Sequence, residues 1–156
     1  MICYDLESLQ KAWLAGEKCK FLFFWGHTPS AGGGITESCL SQWWMCRFSV
    51  EGVEYSCAEQ YMMAEKARLF GDGEMLEAIL RAKHPKEMKA FGRAVKRFDP
   101  KIWSARCYEL VRNGNLAKFG QNAELRAFLA GTKNRILVEA SPRDRIWGIG
   151  MGKQNP

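Results

Sequence analysis

No apolar run in the chain approaches the roughly 18 residues a membrane span needs, and the opening MICYDLESLQ lacks the basic-then-apolar order of a signal peptide. The two absences predict a cytoplasmic protein with no membrane partner. Histidine is scarce. His27 and His84 lie in unrelated contexts, and no cysteine or histidine spacing matches a zinc or iron site. The usual metal ligands are missing, and the sequence predicts neither metal nor cofactor. The six cysteines (Cys3, Cys19, Cys39, Cys46, Cys57 and Cys107) include no C-x-x-C pair. In a reducing cytosol they read as free thiols rather than as a disulfide framework. A P-loop and a G-x-S-x-G are also lacking, and GIGMG (148–152) has neither the preceding strand nor the following helix of a dinucleotide fingerprint. With no repeat, low-complexity segment or linker, residues 1–156 read as one domain. A domain of that length hides about 70% of the surface its unfolded chain exposes, enough for a core and a pocket.

What is present is a folded composition, 47% hydrophobic and 26% charged, with a net charge of +6. The charge favours an anionic partner such as a phosphorylated metabolite or a nucleic acid. It is dispersed through helical segments, however, including Lys66, Arg68, Arg81, Lys89, Arg93 and Lys96. A solvated basic surface explains that distribution equally well, and it argues against a nucleic-acid-binding domain.

DLESLQKAWLAG (5–16) has helical spacing at Leu6, Leu9 and Trp13, with Asp5 as cap and Gly16 as stop. KFLFFW (20–25) reads as a buried strand, ending in a glycine-rich loop around Pro29 and Gly32–Gly34 that could rim a pocket or simply be solvent-exposed. MCRFSVEGVEYS reads as a hairpin turning at Glu51-Gly52. Helices then follow to about Phe70, over about Glu74–Ala82, from Pro85 to about Lys96, from Pro100 through Trp103, Cys107, Leu110 and Val111, and through NAELRAFLAG. RILVEA is a last strand and SPRDRIWGIGMG a closing loop. The predicted class is α+β, mostly helical with a small sheet.

Two stretches carry groups capable of chemistry. In SCAEQYMMAEKARLFGD, Ser56 and Glu59 fit the capping box, in which each side chain serves the other's backbone N–H. Glu59 and Lys66 also lie seven residues apart, within about 20° of one helix face and about 10.5 Å along the axis. A carboxyl beside apolar side chains can hold a proton, and a desolvated lysine can become a nucleophile. Lys66 could equally extend to water and pair with an acid. In SPRDRIWGIG, Ser141–Asp144 is either a β-turn or the setting for a functional Asp144, with Trp147 in the core or offering a stacking face. Gly148 and Gly150 permit close backbone approach.

Taken together and in order, FFWGHTP, LSQWW, GVEYSCAEQYMMAEKARLFGD, GRAVKRFD with Trp103 after it, KFGQN and LVEASPRDRIWGIG resemble the NADAR family of YbiA-like N-glycosidases from about Phe23 to Gly150. The resemblance implies a compact, mostly helical α+β domain that cleaves the N-glycosidic bond between a ribose and a base. It implies either of two substrates: phosphoribosylamino-pyrimidine intermediates of riboflavin synthesis, giving ribose 5-phosphate and a free pyrimidine, or ADP-ribose attached to guanine, with transient contact to nucleic acid. Both are anionic ribosides. The family's acidic residue falls on Glu59, its lysine on Lys66 and a further carboxylate on Asp144. In the implied mechanism Glu59 protonates or orients the departing base or ring oxygen. Lys66 attacks the anomeric carbon through a transient Schiff base, and Asp144 stabilises the oxocarbenium-like state or orients water. Trp25, Gly26, Trp43, Trp103, Trp147 and Gly148 are candidates for the pocket wall, and Arg68 and Arg93 for phosphate contacts. One departure is the loop around Gly32-Gly33-Gly34, longer than the family pattern, which leaves the pocket rim and substrate size open. A non-catalytic module that binds ADP-ribose or another nucleotide is the alternative of a different class.

Overall fold

The computed structural model describes residues 5–154, which carry six α-helices and four short strands. The chain divides into two compact units. One is Gln42–Arg126, and the other comprises the described parts of Met1–Ser41 and Ala127–Pro156. The α+β class holds, with the small sheet resolved into two separate two-stranded sheets. No described helix is long and apolar enough to cross a membrane.

The unit Gln42–Arg126 begins with a hairpin of β1 (Phe48–Val50) and β2 (Val53–Tyr55), in which Phe48 faces Tyr55 and Val50 faces Val53. Its turn residues Glu51 and Gly52 have φ of 51° and 79°, the left-handed pair that matches the twist of a two-residue hairpin. Four helices follow: α1 (Ala58–Leu69), α2 (Gly73–Arg81), α3 (Pro85–Arg93) and α4 (Pro100–Gln121). Helix α1 is buried on almost every side, from Ala58 to Ala64 and again at Ala67. That is why it lacks a clean apolar stripe: α2, α3, α4 and the hairpin all pack against it. Two glycines let its neighbours come close. A Cβ on Gly92 of α3 would meet Met63 Sδ at 1.9 Å, and one on Gly114 of α4 would meet Tyr61 Cδ1 at 2.5 Å.

Two expectations need correction here. Ser56 is not the cap of α1. Cys57 occupies that position and makes no side-chain cap bond. Gln60, one turn on, takes the part expected of Glu59: its Oε1 accepts from Ser56 N–H at 2.8 Å and from Ser56 Oγ at 2.9 Å. Its amide also donates to the Ile79 carbonyl at 3.0 Å, tying the start of α1 to α2. The helix expected to reach Lys96 ends at Arg93. There the Asp72 carboxylate, which caps α2, accepts from Lys96 N–H at 2.8 Å, and Arg97 turns to φ 57°. The chain is pulled out of the helix by a cap belonging to another one.

In the other unit, α5 (Leu6–Leu14) starts at an Asp5–Ser8 capping box. Strands β3 (Phe21–Phe24) and β4 (Ile136–Glu139) pair in parallel, Phe21 with Ile136 and Phe24 with Glu139. The glycine-rich stretch is turned at Gly33, whose N–H donates to the Ser30 carbonyl at 2.8 Å. A 3-10 turn over Glu37–Leu40 follows it. Helix α6 (Ala123–Gly131) begins in the first unit and ends in this one.

Candidate active site

Glu59 and Lys66 both stand on α1, the central helix of its unit. Glu59 is 3% exposed, and its backbone N–H donates to the Gln42 carbonyl at 2.9 Å. That bond places Trp43 beside the first turn of the helix. The ring of the half-buried Trp43 lies 5.7 Å from the Lys89 ammonium of α3. A carboxylate this deeply buried is rare unless its charge is compensated or used.

Lys66 is half-buried two turns further on. Its ammonium lies 4.2 Å from the centre of the Phe98 ring and 5.7 Å from that of Trp103. Burial pushes its pKa below the ordinary lysine value, and the neighbouring positive charge of Arg93 adds to the shift. The rings themselves attract the cation. Met62 and Met63, both 7% exposed, fill the helix surface between the acid and the amine. The arrangement offers a buried carboxylate and an amine of lowered basicity on one face, with an aromatic and a guanidinium beside the amine.

Arg68 falls elsewhere. Nine residues from Glu59, it projects about 180° round the helix. Its guanidinium is engaged by the Tyr55 hydroxyl at 2.8 Å and by the Glu65 carboxylate. Of the two arginines expected to contact phosphate, Arg93 is the one near Lys66.

The remaining sequence candidates belong to the other unit. Trp25, 61% exposed, lines a cavity of about 350 Å³ with Phe23, Glu37, Ala140 and Lys153. Gly26, which follows Trp25 at the end of β3, adopts φ 88°. Asp144 Oδ1 accepts from the backbone N–H groups of Ile146 and Trp147 at 2.8 and 2.9 Å, so this carboxylate shapes the turn that presents Trp147. Trp147 lines a different groove, of about 760 Å³, whose walls include Lys18, Lys20, Lys133 and Arg135. Gly148 is needed for close packing: a Cβ there would lie 3.0 Å from the carbonyl oxygens of Asp144 and Glu139. The structure thus separates Trp25 and Trp147 into two cavities.

Sequence reading passed over Lys118. On a mostly exposed helix it has no exposed surface at all. The only available signal was its place in KFGQN. Phe98, whose ring receives the Lys66 ammonium, was hidden in the same way inside GRAVKRFD.

A family model, the NADAR domain, matches residues 23–156. The chain belongs to the NADAR domain family. Over 143 residues it is 41% identical to N-glycosidase R617 of Acanthamoeba polyphaga mimivirus, covering 88% of this chain and 82% of the viral protein. It is also 41% identical over 103 residues to Protein irg-1 of Caenorhabditis elegans, a match spanning 65% of this chain and 49% of the worm protein. The NMR structure of the Escherichia coli protein YbiA superimposes with a TM-score of 0.71 at 28% identity, covering 85% of this chain and 74% of that one. The bacterial protein is named N-glycosidase YbiA and is 35% identical over 101 residues, 65% of this chain and 61% of YbiA.

Proposed function

We propose that this protein is an N-glycosidase, a hydrolase of N-glycosyl compounds, and that it acts on phosphoribosylamino-pyrimidines, releasing the free pyrimidine and ribose 5-phosphate. The class follows from the family and from relatives that bear the name N-glycosidase. The observation supporting the catalytic reading is the pairing on α1 of a buried Glu59 with a Lys66 of lowered basicity.

Cleaving an N-glycosidic bond builds positive charge on the anomeric carbon and ring oxygen while the base departs with the bonding electrons. A buried carboxylate is suited to stabilising that charge, because little water competes with it. Lys66 attacks the anomeric carbon as a neutral amine. The base leaves with the proton that the attacking nitrogen gives up, the ribosyl adduct opens to a Schiff base, and water then returns the sugar and the free lysine. Arg93 neutralises the phosphate. Trp103, beside the Lys66 ammonium, and Trp43, beside the first turn of α1, form the walls. Borohydride added during turnover is expected to fix the ribosyl group to Lys66; an active enzyme that cannot be trapped would rule out the covalent route.

Removal of ADP-ribose from guanine is the second reading. It is favoured by the groove beside Trp147, where four cations, Lys18, Lys20, Lys133 and Arg135, outnumber the carboxylates Asp5, Glu17 and Glu139. Incubating the protein with the phosphoribosylamino-pyrimidine and, separately, with ADP-ribosylated DNA decides the matter. Release of pyrimidine in the first alone supports the main reading, and release of ADP-ribose in the second alone supports the other.

A further inference from the structure

Lys118 has no exposed surface and Glu59 is 3% exposed, in one unit of the fold. Two ionisable groups so deeply buried are strongly unfavourable unless their charges offset each other. The packing brings them to the same level. Along α1 and α4, Lys66 lies beside Trp103 and Tyr61 beside Gly114, so the two helices run in opposite directions past each other. One turn beyond Gly114, Lys118 therefore comes alongside the start of α1.

The segment 42–47 fixes the same corner from both sides. From α4, Asn115 Oδ1 accepts from the Gln42 amide at 3.0 Å and the Asn122 amide donates to the Arg47 carbonyl at 3.0 Å. From α1, Glu59 N–H donates to the Gln42 carbonyl, and the neighbouring Ser56 carbonyl accepts from Cys46 N–H, both at 2.9 Å. Lys118 lies between the two asparagines in sequence and within about 60° of both on the helix. Its ammonium lies 5.0 Å from the centre of the Phe119 ring, and its charge reaches the thiol of Cys46 in the 42–47 segment. The Glu59 charge is felt at the Cys57 thiol, which also feels Cys46.

We propose that Lys118 is a positioning residue for the glycosidase reaction, the buried counter-charge that holds Glu59 as an oriented carboxylate. The proposal deepens the function given above and rests on it for its catalytic meaning. Glu59 then acts as a fixed negative charge facing the oxocarbenium-like sugar, and the proton for the leaving base comes from elsewhere, such as the attacking amine. Other titratable groups around α1 include Cys46, Cys57, Glu51 and Tyr55 from the hairpin side and Lys89 and Arg93 from α3, with Tyr61, Lys66 and the Arg68–Glu65 pair on α1 itself; the remaining charged side chains of α2, α3 and α4 are mostly exposed. Lys118 is the one whose charge is fully enclosed.

The first test needs no turnover. Melting temperatures are compared for wild type, Lys118→Met, Glu59→Gln and the double variant. Lys118→Met is expected to melt well below wild type, and adding Glu59→Gln to recover a large part of the loss. If Lys118→Met does not fold, recovery of a folded double variant supports the pairing. Strictly additive losses, or a double variant that stays unfolded, would overturn it. This result stands whether or not the protein cleaves a riboside, so failure of the glycosidase reading is seen separately. The second test is the pH profile of kcat/KM for pyrimidine release. Loss of an opposite charge near a carboxylate is expected to move the lower step of the rising limb, set by Glu59 as the upper step is by Lys66, up by about one pH unit or more in Lys118→Met, while Lys118→Arg keeps the wild-type limb. A limb that stays in place would overturn the positioning role.

Discussion

Gly114→Ala probes the crossing on which the site is built. The new Cβ would lie 2.5 Å from Cδ1 and 2.9 Å from Cε1 of Tyr61. That ring has little room to retreat. It is 4% exposed and sits edge-on to Tyr55 with centroids 5.2 Å apart, with Phe48 at 6.3 Å on another side. Overpacking of this kind costs about 1–3 kcal/mol, while alanine regains about 1 kcal/mol of helix propensity over glycine. The expected net loss is centred on about 1 kcal/mol and reaches about 2 kcal/mol, a fall in melting temperature of up to about 8 °C for a chain of this size. Gly120→Ala on the same helix is the control, since a Cβ there meets nothing within 4 Å. It should gain up to about 1 kcal/mol from propensity alone. Calorimetry of both variants checks the contrast. A Gly114→Ala protein melting at or above wild type would refute the close α1–α4 crossing, and with it the register that brings Trp103 to Lys66.

Arg93→Gln removes the charge that, after burial, holds the Lys66 pKa down. The Lys66 pKa should rise and the neutral amine become scarcer at neutral pH. The limb of the rate profile that rises with pH is then expected to move to higher pH, and an unmoved limb would count against Lys66 as the nucleophile. Arg68→Met should leave KM for the phosphorylated substrate within about twofold, because Arg68 faces Tyr55 and Glu65. Its stability cost should be about 1 kcal/mol or less, as for other partly exposed ion pairs, and a large rise in KM would return it to the phosphate site.

The helices and strands were legible because their signals are local. Asp99-Pro100 and His84-Pro85 opened helices as expected, and Glu51-Gly52 made the hairpin turn. The start of α1 was misread because a capping box and a buried glutamate look identical in sequence. Only tertiary packing shows that Gln60 serves Ser56 and leaves Glu59 to the interior. Lys118 was missed for a related reason. A lysine on a polar-looking helix reads as solvated, and its burial depends on segment 42–47, more than 70 residues away, bonded to α4 on either side of it. The pairing of Lys66 with Trp103 is likewise a product of how α4 crosses α1, and Phe98 meets the same amine from the turn just before α4.

The most direct test of the account is the rate of pyrimidine release by Glu59→Gln, measured beside wild type on the phosphoribosylamino-pyrimidine, with melting curves to show that both are folded. Removing a buried charge that acts at the reacting centre should lower kcat by about 10²-fold or more, with a folded protein and little change in KM. A folded Glu59→Gln protein that releases pyrimidine at the wild-type rate would contradict the account.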